Sequence, residues 1–290
     1  MNVLVTGSSG LIGRELTKQL LCKGNIVYGV DISQSVIKHK NYIHSYSILD
    51  EKYDKIFHLM GYPCPADYLN NPMTTIFKTI EAFKNVSLYA KKSQADFIVA
   101  SSSEVYADEN FDHDMKENSL GVIPLEHPRA CYKELKRILE VLTHSYKRET
   151  KNNAKIIRVF NSYGECHKYD TRFIPQLINC AKTNSVFTIY GNGEQKRSYC
   201  HVSDTVKGIL LYSDSNMSCP VNIGNPYEEY SVNEVIKIFE EVIGFTIKTK
   251  HENNIDMIGP AYRRPDITLI KSLGWEPKVN LKEGLKKILL

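Results

Sequence analysis

The chain has 290 residues, 42% of them hydrophobic and 24% charged, with a net charge of +4 at pH 7. That length and composition allow a sizeable core, built as one large α/β domain or as a larger domain with a smaller one attached. The lysines are scattered rather than massed, which argues against a nucleic-acid-binding surface. We interpret basic residues such as Lys133, Lys136 and Arg137 as solvated helix faces.

The cysteines argue against both a disulfide framework and a zinc site. Their number is odd and none forms a C-x-x-C pair. No apolar run approaches the roughly 20 residues that span a bilayer, and no signal peptide precedes the strand predicted to begin at Asn2. We therefore expect a cytoplasmic protein with reduced thiols, no metal and no membrane partner. The seven cysteines are Cys22, Cys64, Cys131, Cys166, Cys180, Cys200 and Cys219.

The first half of the chain alternates short β-rich runs with segments of helical periodicity. Because these runs are almost continuously apolar, they predict the α/β class, with a parallel and doubly wound sheet. The predicted strands are 3–5, 26–30, 55–59, 97–100 and 154–159, and the predicted helices are 14–22, 73–91 and 132–148.

The second half is richer in turns and polar residues. Residues 188–202 are turn-rich, a helix is predicted at 232–243, and the chain closes with two helices, the second starting near Leu281. We see no internal repeat and no linker. These features predict a smaller region woven from segments after about Gly164, with crossings back to the sheet.

Three glycines stand between the first predicted strand and the first helix. Gly7, Gly10 and Gly13 have the spacing of a phosphate-binding turn, in which the backbone approaches a pyrophosphate at a helix N-terminus. Asp31 ends the second strand, 18 residues after Gly13. A carboxylate there can accept both ribose hydroxyls and would repel a 2′-phosphate, so we expect NAD rather than NADP. Leu11 and Ile12 belong to the same turn.

Hydroxyl and carboxylate side chains follow the apolar strand at 97–100, in the stretch "ASSSEVY". Tyr132 and Lys136 come about 30 residues later, on one face of a predicted helix. A nearby ammonium lowers the pKa of a phenol, and a tyrosinate can then remove a proton from a sugar hydroxyl while hydride leaves. Together with the glycine turn, these residues form the constellation of the short-chain dehydrogenases.

The chain resembles the extended short-chain dehydrogenases/reductases of the NAD-dependent epimerase/dehydratase family. Within that family it is most similar to the members that decarboxylate UDP-glucuronate. The resemblance covers nearly the whole chain, including a C-terminal part outside the dinucleotide core. It is carried by "VTGSSGLIG", "HLMGYPCPADYLNNP", "ASSSEVY", "PRACYKELKR", "RVFNSYG", "IYGNGEQKRSY", "VNIGNP" and "RRPDI" followed by "LGWEP".

The resemblance implies a Rossmann-type sheet at residues 1–164, binding NAD, and a smaller nucleotide-sugar-binding region at 165–290. It implies decarboxylation of UDP-glucuronate to UDP-xylose through a 4-keto intermediate, with NAD regenerated in each cycle. The implied catalytic residues are Ser102, Ser103, Glu104, Tyr132 and Lys136; the implied substrate ligands are Arg263 for the carboxylate, and Tyr68, Asn161, Arg197, Tyr190 and Tyr199.

Six residues, at four places in the chain, depart from the family pattern. The pair Met60-Gly61 follows the strand at 55–59, Ala107 replaces a glycine, Ser47 replaces an aspartate, and Glu165-Cys166 replaces Pro-Arg. None of these changes removes a group from the implied catalytic set.

Other functions of the family stay open at this point. A nucleotide-sugar 4,6-dehydratase shares the first oxidation, although Ser103 stands where many dehydratases carry aspartate. A 4-epimerase, a bifunctional apiose/xylose synthase and a catalytically silent NAD(H)-binding regulator are further alternatives. Arg263 favours the decarboxylase, because a neutral hydroxymethyl group needs no guanidinium. The resemblance also implies a homodimer, in which helices 73–91 and 132–148 pair with a second subunit in a four-helix bundle.

Overall fold

The structure is a computed structural model that describes residues 1–107, 114–119, 121–165, 171–253 and 262–289, so Cys166 lies outside the described residues. Within this part of the chain, no helix is long and apolar enough to cross a membrane. The elements, in chain order, are β1 (Asn2–Thr6), α1 (Leu11–Cys22), β2 (Ile26–Val30), β3 (Tyr42–Ser45), β4 (Lys55–His58), α2 (Pro65–Asn70), α3 (Pro72–Ser93), β5 (Asp96–Ser102), a 3-10 turn (Ser103–Tyr106), α4 (Ala130–Thr150), β6 (Ala154–Val159), β7 (Ser162–Tyr163), α5 (Phe173–Thr183), β8 (Phe187–Tyr190), β9 (Lys196–Ser198), β10 (Cys200–His201), α6 (Val202–Asp214), β11 (Val221–Ile223), β12 (Glu229–Ser231), α7 (Val232–Ile243), β13 (Thr249–Glu252), α8 (Thr268–Lys271) and α9 (Leu281–Leu289).

Seven strands form one sheet in the order β3-β2-β1-β4-β5-β6-β11. All six pairings between neighbours are parallel. The chain runs outward from β1 to β3 on one side and from β4 to β11 on the other, so the strand order reverses between β1 and β4. This is a doubly wound sheet of the Rossmann type, which confirms the predicted fold class. Ligands of such sheets bind outside the carboxyl ends of the strands at the reversal.

Helices cover both faces of the sheet. Along β1, Val3 and Val5 point into a core that includes Leu16 of α1 and Val206 of α6. Leu4, on the opposite face, belongs to a second core with side chains of α3 and α4. Each fully buried aliphatic side chain contributes about 1.5–3 kcal/mol, so the alternation along one strand holds two helical layers to the same sheet.

A third core lies beside the sheet. It joins α5, α7 and α9 with strands β7 and β8 through side chains such as Leu177, Phe239 and Leu285. Three two-stranded ladders, β10-β7, β12-β9 and β13-β8, belong to this part of the chain. Strand β11 returns to the main sheet beside β6. A strand from the second half of the chain thus completes the edge of the main sheet.

The most apolar and periodic elements agree with the prediction. Strands β2 and β6 and helix α7 have the predicted bounds, and α9 begins at Leu281 as expected. The prediction started α1 three residues late, and it missed β3, α2, α5 and α6. β3 is an edge strand of half-exposed residues, and α2 has only six residues, so neither carries a strong hydrophobic period.

Ala107 has a backbone conformation that favours glycine. It follows the 3-10 turn with φ 70° and ψ −157°, and its N–H donates to the carbonyl of Glu104 at 3.2 Å. A side chain at such a positive φ costs about 1–3 kcal/mol unless surrounding contacts impose it. The departure from glycine at this position therefore places strain directly after the stretch "ASSSEVY".

Replacing Ala107 by glycine should raise the free energy of unfolding by about 1 kcal/mol, because relief of strain exceeds the extra entropy of the unfolded chain. Equilibrium unfolding in urea measures this change. Ala181→Gly, inside α5, is the matched control and should lower stability by about 0.5–1 kcal/mol. Equal losses in both variants would contradict the assignment of strain to Ala107.

Candidate active site

A cavity of about 1560 Å³ opens at the carboxyl ends of the central strands, where the strand order reverses. Every residue that the sequence analysis assigned to catalysis, substrate binding or cofactor binding lies in its wall. The structure therefore brings the predicted cofactor and substrate residues into one site. They are Gly7, Gly10, Leu11, Ile12, Gly13, Asp31, Tyr68, Ser102, Ser103, Glu104, Tyr132, Lys136, Asn161, Tyr190, Arg197, Tyr199 and Arg263.

The glycine turn fits a dinucleotide phosphate. Gly7 has φ +74°, and a Cβ on Gly13 would overlap the carbonyl oxygen of Gly7, so these positions require glycine. Gly10 is the N-cap of α1, and no side chain among the described residues caps this helix end. Backbone N–H groups therefore face the cavity at the positive end of a helix dipole, which favours an anion.

Asp31 lies at the end of β2, beside this turn. Its two carboxylate oxygens accept backbone N–H groups from Ser9, at 3.0 Å, and from Ser33, at 2.8 Å. These bonds fix the carboxylate in the cavity wall, and each oxygen keeps a second lone pair for a further donor. The arrangement fits the ribose of NAD.

Lys136 and Tyr132 lie on the face of α4 that covers the carboxyl end of β5. The Nζ of Lys136 donates to the carbonyl of Ala100 at 3.0 Å and lies 5.7 Å from the centre of the Tyr132 ring. Burial lowers the pKa of Lys136 to about 8, although Glu140 opposes the shift. The interpretation of Lys133 and Lys136 as solvated was wrong, since they are only 1% and 7% exposed.

The pKa of Tyr132 is raised above its usual value, not lowered as the sequence suggested. Burial is the main cause, and the charge of Glu104 and the nearby Tyr68 add to it. A hydrogen bond with Ser102 and the charge of Arg172 act in the opposite direction. The phenol therefore needs further positive charge beside it before it can serve as a base near neutral pH.

The three consecutive serines have different surroundings. Ser101 is buried at the cavity wall, and its hydroxyl donates to Glu140 of α4 at 2.5 Å. The Oγ of Ser102 accepts the N–H of Glu104 at 3.2 Å and so caps the 3-10 turn, while also bonding Tyr132. Ser103 is buried at the start of the turn and lines the cavity.

Glu104 is a buried carboxylate between two arginines. Its Oε1 accepts from Arg129 at 3.1 Å and from Arg263, and among the described residues no donor reaches its buried Oε2. Burial tends to raise its pKa, but Arg263, Arg129 and Lys133 outweigh burial and hold the pKa at about 2. Glu104 is thus ionised throughout the physiological pH range. Its contact with Arg129 makes that arginine part of the site.

Arg263 is held in place by the segment around it. Its Nη2 donates to the carbonyl of Ala107 at 3.0 Å, and its own carbonyl accepts from Ser198 at 3.2 Å. The next residues pair with Met115, whose N–H donates to the carbonyl of Arg264 at 2.9 Å. Arg264, by contrast, lies at the surface, since its side chain is 45% exposed against 3% for Arg263.

Aromatic residues form two other parts of the cavity wall. Tyr68 of α2 stacks on Tyr132 with ring centres 4.9 Å apart and planes inclined by 18°. Burial raises the pKa of Tyr68 to about 12, against the charge of Arg129. Tyr199 is mostly enclosed in the third core, where it contacts Phe173 and Tyr163. It lines the cavity with only part of its side chain.

Arg197 and Tyr190 lie in the wall formed by the later segments, and Asn161, between β6 and β7, lines the same cavity. Burial, followed by the like charge of Arg263, lowers the pKa of Arg197 to about 10. The departures Met60, Gly61 and Ser47 also line the cavity. The sequence analysis did not assign Arg129 to the site. Its position in "PRACY", three residues before Tyr132 and at the start of the same helix, was the signal that could have identified it.

Comparison with known proteins gives the family. Residues 3–224 match the NAD dependent epimerase/dehydratase family. UDP-glucuronic acid decarboxylase 1 of Xenopus tropicalis is 34% identical over 301 residues, covering 98% of this chain and 70% of that protein. UDP-glucuronic acid decarboxylase 6 of Arabidopsis thaliana is 33% identical, covering 98% of this chain and 87% of that protein.

Solved structures give a similar result. MoeE5 in complex with UDP-glucuronic acid and NAD has a TM-score of 0.87 and 25% identity, covering 99% of this chain and 97% of MoeE5. UDP-glucose 4-epimerase of Thermotoga maritima, solved with UDP-glucose, has a TM-score of 0.88 and 24% identity, covering 99% of this chain and 97% of the epimerase. At that identity the similarity shows a shared fold only. By its sequence and its fold, the chain belongs to the NAD-dependent epimerase/dehydratase family of extended short-chain dehydrogenases/reductases.

Proposed function

We propose that the protein is an NAD-dependent decarboxylase that converts UDP-glucuronate to UDP-xylose. The observation that carries the proposal is the buried guanidinium of Arg263 in the wall of the cavity that also contains Tyr132. A buried arginine recognises a carboxylate through two parallel hydrogen bonds. The curated relatives named UDP-glucuronic acid decarboxylases support the same conclusion.

In the proposed reaction, one residue of the site transfers a proton and others orient the substrate and the cofactor. Tyr132 takes the proton of the sugar 4-hydroxyl, and Ser102, which bonds the same phenol, orients that hydroxyl. Lys136, whose ammonium lies near the ring, holds the cofactor ribose and adds positive charge. When bound at the glycine turn and Asp31, NAD would accept a hydride from the sugar and later return it.

The carboxylate of the sugar lies β to the resulting 4-ketone. Breaking the bond between C5 and the carboxyl carbon releases carbon dioxide and leaves its electron pair in an enolate, which the ketone stabilises. Arg263 orients the carboxylate before the bond breaks, while Ser103 and Glu104 face the reacting carbon. Reprotonation of that carbon and reduction of the ketone then give the pentose.

The substrate carboxylate must replace an existing ion pair. Arg263 contacts Glu104, which Arg129 also contacts. When Arg263 turns toward the substrate, Glu104 keeps Arg129 as a partner and is not left as an isolated buried charge. This exchange allows two carboxylates to be held in the same buried region.

We assign residues 1–164 mainly to NAD binding and residues 165–290 mainly to the nucleotide sugar. The separate core of α5, α7 and α9 supports this division, and β11 is the returning segment. We also propose a cytoplasmic location, supported by thiols that are free at each described cysteine, namely Cys22, Cys64, Cys131, Cys180, Cys200 and Cys219.

A homodimer through α3 and α4 is part of the proposal. The outer faces of both helices expose large apolar side chains, which a second copy would bury in a four-helix bundle. A shallow groove that includes Ile76 of α3 and Leu135 of α4 runs between them. The exposed side chains are Met73, Phe77, Leu88, Ile138 and Val141.

The purified protein, incubated with NAD and UDP-glucuronate, should release carbon dioxide and form a UDP-pentose. Mass spectrometry identifies the product, and UDP-glucose serves as the neutral control. Formation of a UDP-hexuronate isomer would indicate a 4-epimerase. Loss of water from UDP-glucose would indicate a dehydratase, and binding of NAD without turnover of either sugar would favour a regulator.

Arg263→Ala should reduce kcat/KM for UDP-glucuronate by about 100-fold or more, because the carboxylate loses a buried charged partner. Arg264→Ala is the matched control, since the neighbouring arginine is half-exposed and pairs with Asp114. It should change kcat/KM less than about twofold. Thermal unfolding of both variants checks folding, and similar kinetics in the two would refute the assigned role of Arg263.

Phe77→Glu and Val141→Glu should convert the dimer to a monomer, because each places a charge in an apolar interface. Sedimentation velocity measures the mass. Leu125→Glu, at an exposed position outside α3 and α4, should leave the dimer intact. A monomeric wild-type protein, or dimers in all three variants, would contradict the proposed interface.

A further inference from the structure

Asn222 is a buried amide of β11 in the stretch "VNIGNP", and the proposed reaction leaves it without a role. Its exposed fraction is 0%, as is that of Tyr106, which ends the 3-10 turn after β5. The hydroxyl of Tyr106 donates to the Oδ1 of Asn222 at 2.6 Å. Neither side chain is among the described residues that line the cavity, so the pair can act on a substrate only through another residue.

The side-chain nitrogen of Asn222 holds the segment that carries Arg263. It donates to the carbonyl of Asp266 at 3.1 Å and to the carbonyl of Met115 at 2.8 Å. The carbonyl of Met115 also accepts the N–H of Asp266 at 3.0 Å, and its N–H donates to the carbonyl of Arg264 at 2.9 Å. Asn222 therefore fixes the backbone within three residues of Arg263.

Tyr106 lies beside the other anchor of the same arginine. The carbonyl of Ala107, the next residue, accepts the Nη2 of Arg263 at 3.0 Å. The hydrogen bond between Tyr106 and Asn222 thus joins the carbonyl that holds the guanidinium to the backbone that carries it. These contacts form a closed ring, so the position of the guanidinium depends on the bond that closes it.

A buried arginine orients the Tyr106 hydroxyl. Arg158, the partner of Asn222 in the ladder between β6 and β11, donates from its Nη1 to that hydroxyl at 2.9 Å. Its Nε and Nη2 donate to the two carboxylate oxygens of Glu140 at 2.9 Å and 2.7 Å. A hydroxyl that accepts a bond from a cation directs its own proton to its other partner, here Asn222. The bond between Tyr106 and Asn222 is therefore fixed in direction as well as in length.

We propose that Tyr106 and Asn222 are positioning residues that hold Arg263 where it can meet a sugar carboxylate. The inference rests on the proposed uronate substrate and adds two residues that determine its recognition. Loss of the Tyr106 hydroxyl would loosen the link between the turn and the segment of Arg263. Two parallel hydrogen bonds to a carboxylate tolerate little misplacement of the guanidinium, whereas a neutral sugar does not require them.

The test measures the affinities of Tyr106→Phe for two sugars, by isothermal titration of the protein loaded with NAD. The dissociation constant of UDP-glucuronate should rise about fivefold, and that of UDP-glucose by less than about twofold. In turnover of UDP-glucuronate, KM should rise by a larger factor than kcat falls. Asn222→Ala, which removes both parts of the link, should show the same selectivity with a larger loss for UDP-glucuronate.

Tyr212→Phe is the matched control. Tyr212 of α6 is also 0% exposed, and its hydroxyl donates to the carbonyl of Cys219 at 2.6 Å. The control should lower the unfolding temperature about as much as Tyr106→Phe and change neither affinity. In a second comparison, Tyr106→Phe added to Arg263→Ala should weaken UDP-glucuronate binding by less than about twofold further, because the arginine through which the hydroxyl acts is absent.

Unchanged UDP-glucuronate affinity in Tyr106→Phe would overturn the inference. So would an equal loss for both sugars, or the full loss repeated in the Arg263→Ala background, because either result would show an effect that does not pass through Arg263. Wild-type protein that binds UDP-glucuronate more tightly than UDP-glucose but forms no UDP-pentose would refute only the proposed reaction. The affinity comparison would still decide the roles of Tyr106 and Asn222.

Discussion

The ion pair between Glu104 and Arg263 organises the reacting half of the site. It joins the turn after β5 to a segment 159 residues later in the chain, and Arg129 adds the start of α4. A buried carboxylate without such partners would take up a proton or be expelled from the interior. The ionised state of Glu104 therefore requires that three separate segments meet at one point.

The cofactor half of the site depends on a different constraint, the close approach of backbone to backbone. A Cβ on Gly13 would overlap the carbonyl oxygen of Gly7, and a Cβ on Gly7 would crowd the backbone of Leu59 and Met60. Those contacts can be made only if α1 packs tightly against the carboxyl end of β1. The cofactor half of the cavity thus depends on glycines that carry no side chain, whereas the other half depends on charged side chains that pair with one another.

Much of the sheet and the membership of the site were predictable, because apolar strands and glycine spacing are local signals. Tyr132, Lys136 and Glu104 line the cavity as expected. The sequence did not reveal that Lys133 is enclosed or that burial raises the pKa of Tyr132, because both depend on what other segments place around them. A basic helix face and a buried row of cations have the same spacing in a sequence.

The stacking of Tyr68 on Tyr132 restricts how the phenol can exchange its proton. With one ring face covered, water cannot reach the oxygen from that side, and hydrogen bonds must form close to the plane of the ring. Ser102 already occupies one such direction. In the proposed reaction, the ring of Tyr68, which exchanges no proton itself, would therefore set the directions from which Ser102 and the sugar hydroxyl reach the phenol oxygen of Tyr132.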